Sequence, residues 1–201
     1  VIYSRERQRS LMERFPRESK LNPTVPRSIL DRNFQLCKES SRASVVLLKN
    51  EKQTLPLAGY RRIAVIGTRS RSITSGGSGS SWVPLSKDPP SAAQLLRGCL
   101  GPGVEMLETT APEDVSQSEE VASSAEVSII FVGHPPRTEG ENIDRKDLRL
   151  SQLDNDIASA ACRVCERTVV VVCVGSPVSM PWTEQRSAGL TGWYPGSASS
   201  R

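Results

Sequence analysis

EVSIIFVG, Glu126 to Gly133, is followed after a polar loop by SQLDNDIASAACRVC, Ser151 to Cys165, and then by TVVVVCVG, Thr168 to Gly175. Each outer stretch is a short apolar run that stops at a glycine, which is the pattern of a strand buried on both faces of a sheet. The middle stretch reads as a helix. A strand, a helix and a second strand in this order imply a right-handed crossover and parallel pairing.

The same alternation extends upstream. RIAVIG, Arg62 to Gly67, is a further continuous apolar strand. SAAQLLRGCL, Ser91 to Leu100, reads as a helix with Ser91 as its N-cap and Gly101 beyond its end. GVEMLET predicts another strand and SQSEEVASSA another helix, while SAGLTGWYPG supplies a last partial strand. FQLCKESSRASVVLLKN, Phe34 to Asn50, places Leu36, Ala43, Val46 and Leu47 near helical spacing and reads as one helix ended by Asn50 and Glu51. Residues 1–32 mix Arg, Glu, Pro and Ser and read as a short helix followed by a linker, broken by Pro16, Pro23 and Pro26. The expected fold is α/β, a three-layer sandwich with a mainly parallel sheet, incomplete at the C-terminus.

Composition narrows the function. Of 201 residues, 37% are hydrophobic and 24% charged, which suffices for one sizeable core plus a linker. The 26 Lys and Arg against 22 Asp and Glu leave a net +4, with much of the excess in the first 32 residues, as in a solvated arm. Aromatic residues make up only 4%, which argues against a nucleic-acid partner, since such a site interleaves basic and aromatic side chains. No apolar run approaches the roughly 20 residues of a membrane helix, so no membrane partner is expected. Cys37, Cys99, Cys162, Cys165 and Cys173 are odd in number and not densely spaced. Cys162 and Cys165 form a CxxC without a second pair, so buried or half-buried thiols are expected instead of a metal site. The compartment stays open, secretion of the parent included, because a signal could precede Val1.

Ligands of open parallel sheets lie at the carboxyl ends of strands. Three loops qualify: TRSRSITSGGSGSSWVP from Thr68, HPPRTEGENIDR from His134 and SPVSMPW from Ser176. Taken in order, SVVLLKNEKQTLPL, RRIAVIG, GGSGSSWVP, TEGENIDRKDL, VGSPVSMPW and GWYPG resemble the C-terminal sandwich domain of family 3 glycoside hydrolases, over about Asn33 to Gly196. The resemblance implies two domains, 1–32 as linker and remnant of a preceding (β/α)8 barrel and 33–201 as the sandwich domain, truncated where SASSR replaces the family's continuation. Such an end suggests a shortened chain or a damaged or mis-spliced gene.

In that family the barrel carries an Asp nucleophile and the sandwich domain lends a carboxylic acid across the cleft. The resemblance therefore implies a β-glucosidase-like retaining hydrolase acting on β-linked glucosides or oligosaccharides, with the absent barrel of the same protein as partner. No cofactor is implied. Glu141 is the expected acid/base and Glu139 the alternative; two carboxyls this close raise each other's proton affinity. Ser78 and Ser80 could bond sugar hydroxyls, Trp82 could stack on a pyranose face or pack, and His134 could touch substrate or be a partly exposed loop residue without a role. Asp144 and Arg145 are expected to brace the loop against the body of the domain. SPVSMPW and WYPG read as rigid turns with aromatic anchors. The sequence departs from the family pattern at Glu126, usually Asp, and at Ser151 and Asp154, usually Pro and Gln.

Alternative readings are a β-xylosidase or arabinofuranosidase of the same family, a non-catalytic carbohydrate-binding domain, and a nucleotide-binding α/β domain. The last is disfavoured because Trp82 and Pro84 follow the Gly-rich loop where a dinucleotide fingerprint would open a helix. The fragment alone is expected to be inactive, because the nucleophile is not in it.

Overall fold

The computed structural model describes residues 25–50, 53–71, 89–135, 138, 143–184 and 189–193. The chain divides into two units at Ser40 and Ser41. The division falls inside helix α1, Arg27–Ala43, which begins directly after Pro26 and buries none of its residues. Proline at that place costs the helix nothing, since its missing N–H would have had no partner there.

The second unit holds a six-stranded sheet. Its strands are β1 (Val45–Lys49), β2 (Arg62–Ile66), β3 (Glu105–Glu108), β4 (Val127–Gly133), β5 (Thr168–Cys173) and β6 (Gly189–Trp193). Their spatial order is β1-β6-β5-β4-β2-β3, with β1 antiparallel to β6 and every other pairing parallel. One expectation is corrected here. The single helix read over Phe34 to Asn50 ends at Ala43, and VVLLK is instead the antiparallel edge strand. Four consecutive β-branched or leucine side chains satisfy a strand as readily as a helix turn, and pairing with β6 decides between them. Asn50 then turns the chain, its amide donating to the Leu55 carbonyl at 3.0 Å and accepting from the Leu55 amide at 3.2 Å.

The remaining elements fall where the apolar periodicity places them. Helices α2 (Ala92–Cys99), α3 (Val115–Ser123) and α4 (Gln152–Val164) start at Ser91, Asp114 and Ser151. Each of these side chains accepts the backbone N–H three residues on, which satisfies a donor the helix cannot use. At α2 the bond is returned: Gln94 Oε1 accepts the Ser91 N–H at 2.8 Å, a full capping box.

The sheet is the middle of three layers. On one face Ala64, Ile66, Ile130, Val132, Val170 and Val172 pack against α4 and α3. On the other, Ile63, Val65, Val127, Ile129 and Val169 meet Ala93, Leu96 and Leu100 of α2 together with Leu55, Leu57 and Tyr60. Burial on both faces accounts for the unbroken apolar runs of β2, β4 and β5. Small side chains, Ala158, Ala160, Ala161 and Cys162, let α4 lie close to the strands. Glu126, at the foot of β4, accepts the N–H groups of Arg61 and Arg62 at 2.5 and 2.9 Å. Those two bonds hold its carboxyl below the usual range.

Two glycines are required where strands leave the sheet. Gly67 has φ +101°, and a Cβ there would overlap the Phe131 carbonyl oxygen; a Cβ on Gly133 would overlap that of Cys173. Gly67→Ala should therefore lower stability by at least the ~1–3 kcal/mol of a strained backbone. Gly98→Ala, in α2 with open space around it, should be neutral or stabilising by up to ~1 kcal/mol. Denaturant midpoints of the two variants should move in opposite directions or differ by that amount.

Candidate functional site

Parallel pairing puts the ends of β2, β4 and β5 on one rim of the sheet. From β2 the chain first steps outward to β3, then returns to the other side of β2 to form β4. The switch point, where open α/β sheets bind ligands, thus lies between the exits of β2 and β4. Thr68 follows β2 on one side of it and His134 follows β4 on the other.

The β2 exit is held by backbone and side chain together. Arg69 N–H donates to the Phe131 carbonyl at 3.1 Å, Ser70 N–H to the Gly67 carbonyl at 3.0 Å, and the Ser70 carbonyl accepts from Ala93 N–H of α2 at 3.2 Å. Thr68 Oγ1 donates to Asp154 Oδ1 at 2.6 Å. Arg71 reaches the carbonyls of Thr109 and Thr110, the latter at 2.9 Å. Ser78, Ser80 and Trp82 lie outside the described residues.

On the β4 side, Glu139 and Glu141 also lie outside the described residues, while both ends of their loop are defined. At its start His134 is 9% exposed, more enclosed than the partly exposed residue expected from sequence. Arg145 Nη1 contacts His134 Nε2, and its Nη2 donates to the Pro177 carbonyl at 3.0 Å. Guanidinium has no acceptor, so in this bond Nε2 accepts and the ring proton sits on Nδ1. Arg145 thereby ties the two ends of the β4 loop to each other and to the loop after β5. Asp144 is exposed and makes no hydrogen bond among the described residues.

Beyond Arg145 the loop is fixed by its own pairings. Asp147 accepts from the Arg149 backbone at 2.8 Å and from its guanidinium at 2.7 Å, and its carboxyl is lowered to about 2 by those bonds. Arg149 pairs with Ser179 in an isolated parallel bridge, and Ser179 N–H donates to the Leu148 carbonyl at 2.8 Å. Trp182, in the 3-10 turn Pro181–Glu184, is fully buried, and its indole N–H donates to Asn155 Oδ1 of α4 at 3.1 Å. It is the aromatic anchor the SPVSMPW pattern predicts. Of WYPG, only the Trp193 backbone is described.

Two features of the rim escape sequence reasoning. Asp154 is a carboxylate only 2% exposed, with Ser151 Oγ donating to its Oδ2 at 2.7 Å in addition to the Thr68 bond. The spacing of Ser151 and Asp154 signals a helix cap, but nothing in it announces Thr68. Arg69 Nε is buried and has no hydrogen-bond partner among the described residues. At the end of β5, burial pushes the Cys173 thiol up to about 11; the charge of Arg69 pulls against this rise and that of Asp154 adds to it. Cys162 and Cys165 are buried thiols, the former pushed up to about 12 by burial and then by Cys165. Cys162 and Cys173 are thereby unsuited to nucleophilic work near neutral pH.

The rim and its crossing order define an open α/β domain with its switch point between the exits of β2 and β4. A family model, the glycosyl hydrolase family 3 C-terminal domain, matches residues 45–201, and the chain belongs to that family. It is 30% identical over 178 residues to the thermostable beta-glucosidase B of Acetivibrio thermocellus, covering 84% of this chain and 23% of that protein. It is 28% identical over 182 residues to the exo-alpha-(1->6)-L-arabinopyranosidase of Bifidobacterium longum, covering 83% and 24%. Among solved structures, the GH3 beta-glucosidase of Bifidobacterium adolescentis superposes with a TM-score of 0.69 at 27% identity, covering 96% of this chain and 28% of that one. The chain thus spans about a quarter of the length of these relatives. Among the described residues no helix is long and apolar enough to cross a membrane.

The Asp147 pair yields a pH test. Its carboxyl falls from 3.8 to about 2 on folding, so its contribution is fully present above the unfolded value and is lost as pH falls through the folded one. The stability difference between the protein and Asp147→Asn should be constant above about pH 5 and shrink between 3.8 and about 2. Melting temperatures of the two proteins across that range check this.

Proposed function

We propose that the protein carrying this chain hydrolyses O-glycosyl bonds, releasing terminal β-D-glucosyl residues with retention, and that this domain supplies the acid/base. The observation that supports the reading is that β4, whose end at Gly133 precedes Glu139 and Glu141 in sequence, leaves the sheet beside β2 at the switch point. Family membership and relatives named beta-glucosidase support it.

Retaining hydrolysis needs two carboxyl groups about 5 Å apart. In this reading a barrel domain of the same protein provides an Asp nucleophile that attacks the anomeric carbon. Glu141 gives its proton to the departing oxygen, then takes one from the water that releases the sugar. Glu139 is the alternative donor. Ser78, Ser80, Trp82 and His134 contact the sugar, while Arg145 braces the loop, with Asp144 beside it. Residues 1–32 belong to the barrel's end and the linker, and residues 33–201 form the sandwich domain. The chain alone lacks the nucleophile and is inactive without its partner.

A second reading concerns the sugar. A relative named for an arabinopyranoside keeps pentosides among the candidate substrates, xylosides and arabinofuranosides included.

In the full-length protein Glu141→Gln should lower kcat on a β-glucoside by about 10²–10⁴-fold, the usual contribution of a positioned general acid. Glu139→Gln should change it far less. Unchanged turnover in both variants would favour a non-catalytic binding domain instead.

A further inference from the structure

Asp154 stands between the roots of the two chain segments that leave β2 and enter α4. Its Oδ1 accepts from Thr68, the first residue after Gly67 at the end of β2. Its Oδ2 accepts from Ser151, the N-cap of α4, at which the β4 loop ends. Ser151 Oγ in turn accepts the Asp154 N–H at 3.0 Å. A carboxylate this enclosed is costly to bury and is retained only when its oxygens are satisfied. Here two hydroxyls and the first turn of α4, whose exposed N–H groups favour negative charge, provide that. The bond from Thr68 spans 86 positions of sequence, so the carboxylate fixes the root of the Gly/Ser-rich loop against the root of the glutamate-bearing one.

Such a joint does more than hold the fold. The β2 exit already has backbone anchors, in the Arg69 bond to Phe131 and the Ser70 bond to Gly67, and α4 has its own apolar face. What Thr68 and Asp154 add is a short link between the roots of two loops that, in the proposed reaction, serve one substrate. We propose that Asp154, acting through Thr68 and Ser151, is a positioning residue that sets the placement of the acid/base loop relative to the Gly/Ser-rich loop. This inference rests on the proposed acid/base role of the β4 loop.

A displaced acid harms substrates unequally. Cellobiose needs its leaving oxygen protonated, whereas a dinitrophenyl β-glucoside does not. In the full-length protein Thr68→Val and Asp154→Asn should each lower kcat/KM on cellobiose by about 10–100-fold, as expected for a small misplacement of a reacting group. On the dinitrophenyl substrate they should leave kcat/KM within about two-fold, because the bond-breaking step it reports needs no proton there, while kcat falls with the base-assisted release of the sugar. Thr68→Ser keeps the hydroxyl and should retain activity on both. The double variant should be no worse than either single one, because both remove the same link.

Equal losses of kcat/KM on the two substrates, or a Thr68→Ser variant as impaired as Thr68→Val, would overturn the inference. If Asp154→Asn does not fold, the Thr68 pair decides alone. If Glu141→Gln shifts the substrate ratio and Thr68→Val does not, only the positioning role fails. If Glu141→Gln and Glu139→Gln also leave the ratio unchanged, the acid/base reading fails with it.

Discussion

The exits of β2 and β4 are bound by a steric constraint that everything at the rim inherits. β2 and β4 pair in parallel from Ile63 and Val127 to Ile66 and Ile130, and at the end of that ladder Gly67 turns across the Phe131 carbonyl with no room for a Cβ. Backbone passing this close to backbone leaves little freedom in where the next residues go. Thr68 is directed toward α4, where it meets Asp154, and Arg69 is bonded back to β4. Gly133 meets the same restriction against Cys173 of β5. The chain therefore leaves adjacent strands at points set by the sheet itself.

From these fixed points the longer loops are restrained by polar contacts on their shoulders. Arg145 closes the base of the β4 loop onto His134 and onto Pro177, and the Arg149–Ser179 bridge extends that join. Trp182, buried beneath the third loop, ties it to α4 through Asn155. Asn155 and Asp154 are neighbours at the start of that helix, so α4 receives contacts from the exits of β2 and β5, while the β4 loop runs into it. A helix with a small-residue face can sit close enough to the sheet for this to happen.

The sandwich was legible because β2, β4 and β5 are buried on both sides and so carry apolar residues without interruption. Of the helix starts, Ser91 was legible as a cap before its amphipathic run, while the caps Asp114 and Ser151 emerge from the structure. VVLLK was not, because an apolar tetrad following a helical stretch reads as its continuation until a partner strand is present. At the site, Asp144 and Arg145 were both expected as braces; Arg145 bonds to His134 and Pro177, whereas Asp144 is exposed and makes no hydrogen bond among the described residues. Ser151 and Asp154 stood only as departures from the family pattern, yet those two side chains are hydrogen-bonded to each other and, through Asp154, to Thr68. Contacts between residues so distant in sequence leave no periodic trace. Glu126, a third departure, also has a visible role as the acceptor for two N–H groups at the foot of β2.

The central claim is that the loop leaving β4 brings a carboxylic acid to a glycosidic oxygen at the switch point. A crystal structure of the full-length protein with a non-hydrolysable β-glucoside tests it most directly. The account predicts the Glu141 carboxyl within hydrogen-bond reach, about 3 Å, of the atom that replaces the glycosidic oxygen, with the Gly/Ser-rich loop on the opposite wall. Glu139 and Glu141 both turned to bulk water, away from the sugar, would contradict it.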